Sequence, residues 1–241
     1  MTNKAPKPWA VIPAKALSQG KTRLASVLSP ENREALNRSF LTRTINVVSQ
    51  TARLAGIVVV SSDPKALELA RTLGVHSLME NEPVGLNHAL TLAAKWATEH
   101  GASHIMTVST DLPCLEATDL EAVLGEALDI GAPVVSIAPD EPEQGTNVLV
   151  MGPPGAITYA YGPGSYEKHC ASAACAGATL RVIRRPGLLF DVDSPEDLAQ
   201  WRALERASTA ATHSDAETAS DFCGGEPMTD GCISPAVNAE D

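Results

Sequence analysis

The sequence has few aromatic residues, few cysteines and no long apolar segment, and each shortage argues against a class of protein. Aromatic residues make up 4% of the 241 residues, which leaves few rings for stacking on nucleic-acid bases. The five cysteines have no paired close spacing, which argues against a disulfide framework or a zinc site. No apolar run approaches the roughly 18 residues of a membrane span, and residues 1–8 lack the apolar core of a signal peptide. We therefore expect a cytoplasmic protein with no membrane partner and no nucleic-acid partner.

Basic residues are missing from the last part of the chain. The whole sequence has 29 acidic and 18 basic residues, a net charge of −11. Residues 207–241 hold seven of the acidic residues and no lysine or arginine, so the rest of the chain has 22 acidic against 18 basic residues and no basic stripe for a nucleic acid. The last part is also rich in small polar residues without apolar periodicity, which is typical of disorder. We predict a flexible segment over 1–8, one domain over 9–206 and an acidic, disordered tail over 207–241.

Strand-like and helix-like segments alternate along the predicted domain. The run Ile57–Val60 is continuously β-branched, as in a strand that is buried on both faces. Ser29-Pro30-Glu31 and Ser194-Pro195-Glu196 each have the cap residue and first-turn proline of a helix start. Such alternation predicts an α/β fold with a single, mostly parallel central sheet and helices on both faces. The remaining predicted strands lie near residues 9–12, 75–79, 104–109, 133–138, 148–151 and 180–183, and the last predicted helix ends at Leu204.

The first predicted strand runs into a short cationic loop. The loop holds Lys15 and then Gly20-Lys21-Thr22-Arg23. A Walker A loop would have a glycine where Lys15 stands, so this loop is not a P-loop. A cationic loop at the carboxyl end of a strand is nevertheless where α/β proteins bind phosphates. The pattern therefore indicates nucleotidyl transfer rather than ordinary ATP hydrolysis.

Three aspartates, Asp111, Asp191 and Asp193, are candidates for a divalent metal site. Asp111 follows a predicted strand, and Asp191 and Asp193 share a face of an extended segment. Taken singly, Asp111 could cap a loop and Asp193 could belong to a turn. Taken together with the cationic loop, they predict a hard oxygen site for Mg²⁺, with Mn²⁺ as the alternative. Nucleotide transfer to a second anion needs such an ion, because each like-charge pair at about 4 Å costs roughly 4 kcal/mol at an effective dielectric constant near 20.

Three segments are candidates for binding a second anion or a base. Thr146-Asn147 and Gly162-Pro163-Gly164-Ser165 offer hydroxyls and backbone N–H groups to an anion, although a turn and a helix cap would use the same residues. Gly85-Leu86-Asn87 could admit a nucleobase or simply begin a helix. The six histidines show no metal-binding spacing, and we assign them no role.

The chain resembles the CofC/FbiD family of guanylyltransferases, which act in coenzyme F-420 biosynthesis. The resemblance extends over residues 9–204 and depends on motifs that occur in order along the chain. These motifs are Val11-Ile12-Pro13-Ala14-Lys15, Lys21-Thr22-Arg23-Leu24, Gly85-Leu86-Asn87, Thr110-Asp111-Leu112-Pro113, Gly145-Thr146-Asn147, Gly162-Pro163-Gly164-Ser165 and Asp191-Val192-Asp193.

The resemblance implies a nucleotide-diphospho-sugar-transferase-like fold and a specific reaction. GMP would pass from GTP to a three-carbon phosphorylated acid, with release of pyrophosphate. The acid would be 2-phospho-L-lactate, phosphoenolpyruvate or 3-phospho-D-glycerate, and a homodimer is the implied assembly. The implied catalytic residues are Lys15, Lys21, Arg23 and Asp111. The implied nucleotide contacts are Pro13, Ala14, Lys15, Lys21, Arg23, Gly85 and Asn87. The implied acceptor contacts are Thr146, Asn147, Gly162 and Ser165, and the implied metal ligands are Asp111, Asp191 and Asp193.

Three other functions fit parts of the pattern. A sugar-nucleotide or molybdopterin-type nucleotidyltransferase usually begins with a glycine-rich strand end, where this chain has Pro13-Ala14-Lys15. A glycosyltransferase could use Asp191-Val192-Asp193 as its metal motif, but this motif comes very late in the sequence. A non-catalytic nucleotide sensor would bind GTP without producing pyrophosphate.

Overall fold

A seven-stranded sheet forms the centre of the structure, a computed structural model that describes residues 5–220. The strands are β1 (Pro8–Pro13), β2 (Gly56–Ser61), β3 (His76–Met79), β4 (His104–Val108), β5 (Val134–Pro139), β6 (Thr146–Gly152) and β7 (Thr179–Val182). Their spatial order is β3-β2-β1-β4-β6-β5-β7. Strand β6 pairs antiparallel with β4 and β5, and the other pairs are parallel. The prediction of a single, mostly parallel sheet is confirmed.

Helices connect the strands and begin at the caps that the sequence indicates. The helices are α1 (Pro30–Gln50), α2 (Pro64–Thr72), α3 (Leu86–Glu99), α4 (Ala117–Leu128), α5 (Ser165–Cys175), α6 (Pro186–Leu189) and α7 (Pro195–Ser220). The Ser29 hydroxyl accepts a hydrogen bond from the Asn32 amide at 3.3 Å, and the Asp63 carboxylate accepts one from the Lys65 amide at 2.9 Å. Each cap satisfies an amide that has no partner within its helix.

Alternate residues of β1 face the two sides of the sheet, and helices cover both sides. Ala10 and Ile12 pack in a core that includes Leu41 of α1 and other residues of α2 and α4. Trp9 and Val11 pack in a second core with residues of α3 and α5. This period of two is the geometry of an extended strand. Helices therefore lie on both faces, as predicted.

The carboxyl ends of β1, β2 and β4 meet at one edge of the sheet. Val11 lies beside Val58 in the register of β1 and β2 and beside Thr107 in that of β1 and β4, with all three strands parallel. Each strand ends in a polar or cationic loop, and parallel strands bring these loops together. This edge carries the candidate site.

The structure describes residues on both sides of the predicted domain boundaries, which stay predictions. At the start, the Lys7 amide donates to the Ser103 hydroxyl at 2.7 Å, so order begins before residue 9. At the end, α7 continues to Ser220, past the predicted helix end at Leu204 and into the segment predicted to be disordered. The alanines of that segment account for the longer helix, since alanine has the highest helix propensity. Residues 200–220 belong to a second unit, and the rest of the predicted tail, 221–241, lies outside the described residues.

Helix length and apolarity also bear on membrane insertion. Within residues 5–220, no helix combines the length and the apolar character that a transmembrane span needs.

Candidate active site

A cleft of about 450 Å³ opens at the carboxyl edge of β1, β2 and β4. Its walls come from the loop after β1, the first half of α1, the segment before α3 and the loop after β4. Seven residues proposed for the site from the sequence line it: Pro13, Ala14, Lys15, Lys21, Gly85, Asp111 and Asp193. The structure thus brings the cationic loop and two of the three aspartates to one cavity, although they are far apart in the sequence.

The loop after β1 is held in place by side chains from α1 and from the end of β2. The Asp63 carboxylate accepts a hydrogen bond from the Leu17 amide at 2.8 Å, and the Asn37 amide donates to the Leu17 carbonyl at 2.7 Å. Gly20 lies so close to Asn37 that a Cβ at Gly20 would stand 2.6 Å from the Asn37 Nδ2 atom. The loop therefore has a fixed conformation, which is what a phosphate-binding loop needs to avoid an ordering cost.

Lys21 connects the cationic loop to the acidic residues. Its ammonium group lies 2.9 Å from Asp111 Oδ2 and 2.9 Å from Asp193 Oδ1, and its side chain is 9% exposed. Burial alone would lower the pKa of Lys21, but the two carboxylates outweigh it and the pKa is raised. Lys21 is therefore a permanent positive charge at the centre of the site.

Asp111, Asp191 and Asp193 form one cluster, as the sequence predicted. One oxygen from each carboxyl group lies within 4.8 Å of the others. A backbone hydrogen bond from the Val192 amide to the Asp111 carbonyl, 3.1 Å long, joins the two segments. Asp193 is positioned further by the Asp197 carboxylate, which accepts a hydrogen bond from the Asp193 amide at 3.0 Å. The start of α7 thus fixes the second half of the cluster.

Burial and neighbouring carboxyl groups change the pKa of Asp191. Its pKa is raised to about 7 by burial first, and then by the neighbouring carboxyl groups of Asp111 and Asp193. When all three carboxyl groups are ionised, they carry a net charge of −2 together with the ammonium group of Lys21. The donor set therefore matches a hard divalent cation in charge and in ligand chemistry. Oxygens on opposite sides of an ion bound at about 2.1 Å stand about 4.2 Å apart, so the 4.8 Å spread needs only a small contraction.

Two of the predicted nucleotide contacts do not line the cleft. Arg23 lies in a short 3-10 helix (Thr22–Ser26) with an exposed side chain. The Asn87 amide is engaged with the Tyr161 backbone, to which it donates at 3.1 Å and from which it accepts at 2.8 Å. Asn87 therefore ties α3 to the segment before α5, a structural role that the sequence did not indicate. Contact of either residue with a nucleotide stays a prediction.

None of the predicted acceptor residues lines the cleft, and Thr146, Asn147 and Ser165 are buried and hydrogen-bonded. The Ser165 hydroxyl donates to the Thr146 hydroxyl at 3.2 Å, and the Asn147 amide donates to the Leu188 carbonyl at 2.9 Å. Gly162 has φ +125°, a conformation that side chains disfavour, and its carbonyl accepts a hydrogen bond from the Ser165 amide at 3.0 Å. These contacts fix the turn before α5, and a role in binding the acceptor stays a prediction.

His169 is the centre of this network, although sequence reasoning gave it no role. Its Nε2 atom accepts a hydrogen bond from the Ala160 amide at 3.0 Å, so Nδ1 carries the proton and donates to the Thr146 hydroxyl at 3.0 Å. Burial first, and then Lys168, lower the pKa of His169 to about 4. Its ring is therefore neutral at pH 7. No spacing motif marks such a histidine, because its two partners come from two separate segments, β6 and the segment before α5.

The neutral state of His169 predicts how stability depends on pH. In the unfolded chain a histidine titrates near pH 6.5, so the folded pKa is the lower one. Stability from this group is then complete above about pH 6.5 and declines as the pH falls toward 4, by at most roughly 3 kcal/mol. Urea unfolding between pH 7.5 and 4 should show a shallower decline for His169→Gln than for the unmodified protein. The exposed His100→Gln variant is the control, and equal pH slopes for the two variants would contradict the prediction.

The chain is similar to known guanylyltransferases over most of its length. Residues 9–203 match the family described as guanylyl transferase CofC like. A phosphoenolpyruvate guanylyltransferase from Rubrobacter xylanophilus is 41% identical over 195 residues, which cover 81% of this chain and 93% of that protein.

Solved structures of nucleotidyltransferases have a similar fold. A protein from Desulfovibrio desulfuricans G20 described as a nucleotide-diphospho-sugar transferase superposes with a TM-score of 0.64 at 16% identity, over 80% of this chain and 85% of that one. A nucleotidyl transferase from Methanothermobacter thermautotrophicus superposes with a TM-score of 0.63 at 15% identity, over 84% and 99% of the two chains. The extent of the family match and the identity to the Rubrobacter enzyme show that this chain belongs to the CofC-like guanylyltransferase family.

Proposed function

We propose that this protein transfers GMP from GTP to a three-carbon phosphorylated acid, with phosphoenolpyruvate as the first candidate acceptor. The observation that carries the proposal is the convergence of Lys21 with Asp111, Asp191 and Asp193 at the cleft. In the proposed reaction, a phosphate oxygen of the acid bonds to the α-phosphorus of GTP. The bond from the α-phosphorus to the bridging oxygen of the β-phosphate breaks, and pyrophosphate leaves with that oxygen.

The charges of the cleft suit a reaction between two anions. Lys15 lines the cleft with an exposed side chain, and Lys21 lies at its acidic end. Lysine ammonium groups neutralise phosphate oxygens as point charges, which offsets the repulsion between a triphosphate and a second phosphate. No protein nucleophile is required, because the acceptor itself supplies the attacking oxygen. The protein's task is to orient the two reactants and to stabilise charge on the leaving pyrophosphate.

We propose Mg²⁺, with Mn²⁺ as a substitute, as the cofactor that Asp111, Asp191 and Asp193 hold. The support is the donor set, three carboxylates with one oxygen each within 4.8 Å. A divalent ion in such a site polarises phosphoryl oxygens and stabilises the leaving group. The side chains of this protein hold the ion, and Lys21 balances the remaining negative charge.

The name of the Rubrobacter relative is the basis for proposing the acceptor. The Rubrobacter protein is called a phosphoenolpyruvate guanylyltransferase, which favours phosphoenolpyruvate over 2-phospho-L-lactate and 3-phospho-D-glycerate. In this proposal Thr146, Gly162 and Ser165 lie at the acceptor end of the site, and the product enters coenzyme F-420 biosynthesis. A homodimer and a cytoplasmic location stay predictions.

Pyrophosphate release across a panel of substrates tests the proposal. Purified protein with Mg²⁺ should release pyrophosphate from GTP in the presence of one of the three acids, and phosphoenolpyruvate should give the highest rate. Mass spectrometry of the product should show the acid joined to GMP. GTP binding with no pyrophosphate release from any acid would indicate a nucleotide sensor instead and would overturn the proposed function.

A further inference from the structure

Besides Asp111 and Asp193, the cleft is lined by a third acidic side chain, Glu80, which does not belong to the aspartate cluster. Glu80 follows β3 directly, and its side chain is 9% exposed although it lines the cleft. Its backbone amide donates to the Ser61 carbonyl at 2.9 Å, which continues the pairing of β3 with β2 and fixes the residue. A buried acid at a cleft wall is costly unless a partner satisfies it, so this position suggests contact with a ligand.

One oxygen of Glu80 is engaged and the other is available. The Oε1 atom lies 3.2 Å from His88 Nδ1 on the first turn of α3. Among the residues that the structure describes, no donor pairs with Oε2. His88 thus positions the carboxylate, which leaves a strong acceptor facing the cleft.

The sheet order separates Glu80 from the reacting phosphates. Glu80 follows β3, Asp111 follows β4, and β2 and β1 lie between these strands. Three strand spacings amount to about 14 Å. The α-phosphate of a nucleotide bound at the acidic cluster is joined to its ribose, and the base lies beyond the ribose. Glu80 therefore lies where the base would be, and not beside the ribose or the phosphates.

The wall opposite Glu80 completes a binding surface for a base. Gly85 caps α3 without a side-chain hydrogen bond and with φ +137°. The His88 amide donates to the Gly85 carbonyl at 3.1 Å, but the Leu86 and Asn87 amides have no acceptor among the described residues and remain open as donors. Leu86 lines the cleft and is 38% exposed, which is unusual for leucine unless it meets a ligand or a partner. An apolar surface, open amides and a buried acceptor are the groups that a flat, polar-edged base requires.

We infer that Glu80 is the residue that selects guanine over adenine, by accepting hydrogen bonds from N1–H and the 2-amino group. This inference rests on the proposed function, because it assumes that the cleft binds GTP. Guanine presents two adjacent donors to a carboxylate and an acceptor, O6, to the open amides of α3. Adenine presents an unprotonated N1 in place of the N1–H donor, so a carboxylate there repels it. A site built on hydrogen bonds rejects an analogue that leaves them unmade.

The experiment compares Glu80→Gln with Glu82→Gln, using GTP, ITP and ATP. Glu82 is an exposed acid on the same segment and does not line the cleft, so it controls for the lost charge. ITP has N1–H but lacks the 2-amino group. For Glu80→Gln we expect kcat/KM with GTP to fall roughly 10- to 100-fold, because hydrogen bonds to a charged group are lost. The loss with ITP should be smaller, so the preference for GTP over ITP should shrink. Glu82→Gln should keep the preference of the unmodified protein.

The outcomes separate this inference from the proposed function. Unchanged GTP:ITP:ATP ratios in Glu80→Gln would overturn the role of Glu80, whatever happens to the total rate. If the unmodified protein releases no pyrophosphate with any acid, the proposed function fails. In that case, calorimetric dissociation constants of the unmodified protein and of Glu80→Gln for GTP, ITP and ATP test whether Glu80 selects guanine. A preference for GTP that Glu80→Gln removes would support the inference, and equal preferences in the two proteins would refute it.

Discussion

Replacing Asp191 or Asp193 with asparagine should reduce kcat by about 1,000-fold or more while leaving the protein folded. The expected loss follows from the several kcal/mol of transition-state stabilisation that a bound divalent ion provides, because an amide oxygen carries no net charge to hold it. Steady-state pyrophosphate release measures the effect, and Mn²⁺ binding followed by electron paramagnetic resonance gives a readout that does not depend on turnover. Both variants should bind Mn²⁺ more weakly than the unmodified protein.

Thermal stability should distinguish the two variants. Asp191 is close to two carboxyl groups and makes no described hydrogen bond to Lys21, so Asp191→Asn removes repulsion and the metal-free protein should melt at the same temperature or higher. Asp193→Asn also loses a 2.9 Å contact with Lys21. The gain from reduced carboxylate repulsion and the loss of this contact should nearly cancel, so the melting temperature should change little. Asp129→Asn removes the same charge from an exposed pair with Arg53 and should leave kcat within about two-fold. Full activity in either cluster variant would show that the three aspartates are not the metal ligands.

The sequence predicts the fold and the centre of the site because both depend on local pattern. Strand runs such as Ile57–Val60 and caps such as Ser29 encode the order of elements, and parallel strands then bring their carboxyl ends together. Asp111 could be assigned to the site because it stands directly after a strand. Glu80 stands directly after β3 in the same way, and the same rule applied to the strand predicted at 75–79 would have found it.

Pairings between distant segments could not be predicted in this way. The bonds of His169 with Thr146 and Ala160 depend on how α5 packs on the sheet, and the bonds of Asn87 with Tyr161 join residues 74 positions apart. Neither pairing leaves a period or a motif in the sequence. The hydroxyls and amides that looked free for ligands in the sequence, those of Thr146, Ser165 and Asn87, are the groups that these packing contacts use.

Replacing Lys21 with methionine should affect both stability and catalysis, and Mg²⁺ should restore only the first. The single positive charge of Lys21 is shared between two of the three clustered carboxylates, those of Asp111 and Asp193. Its removal leaves the partly exposed carboxylates of Asp111 and Asp193 without their ion-pair partner, which costs about 1 kcal/mol because solvent screens them. Chemical unfolding without metal should show this loss. Saturating Mg²⁺ should recover most of it, because a divalent ion that binds only the folded state stabilises that state by mass action.

Catalysis should not recover with the metal, because the ion and Lys21 act on the same anions from different positions. Even at saturating Mg²⁺, kcat of Lys21→Met should stay roughly 100-fold or more below that of the unmodified protein. Lys15→Met is the matched control for stability, since Lys15 lines the same cleft with an exposed side chain and its loss should change the unfolding free energy by less than about 0.5 kcal/mol. A Lys21 variant that Mg²⁺ fails to stabilise would show that the acidic cluster does not bind a divalent ion. A variant with unimpaired kcat would show that Lys21 serves only to balance charge in the folded protein.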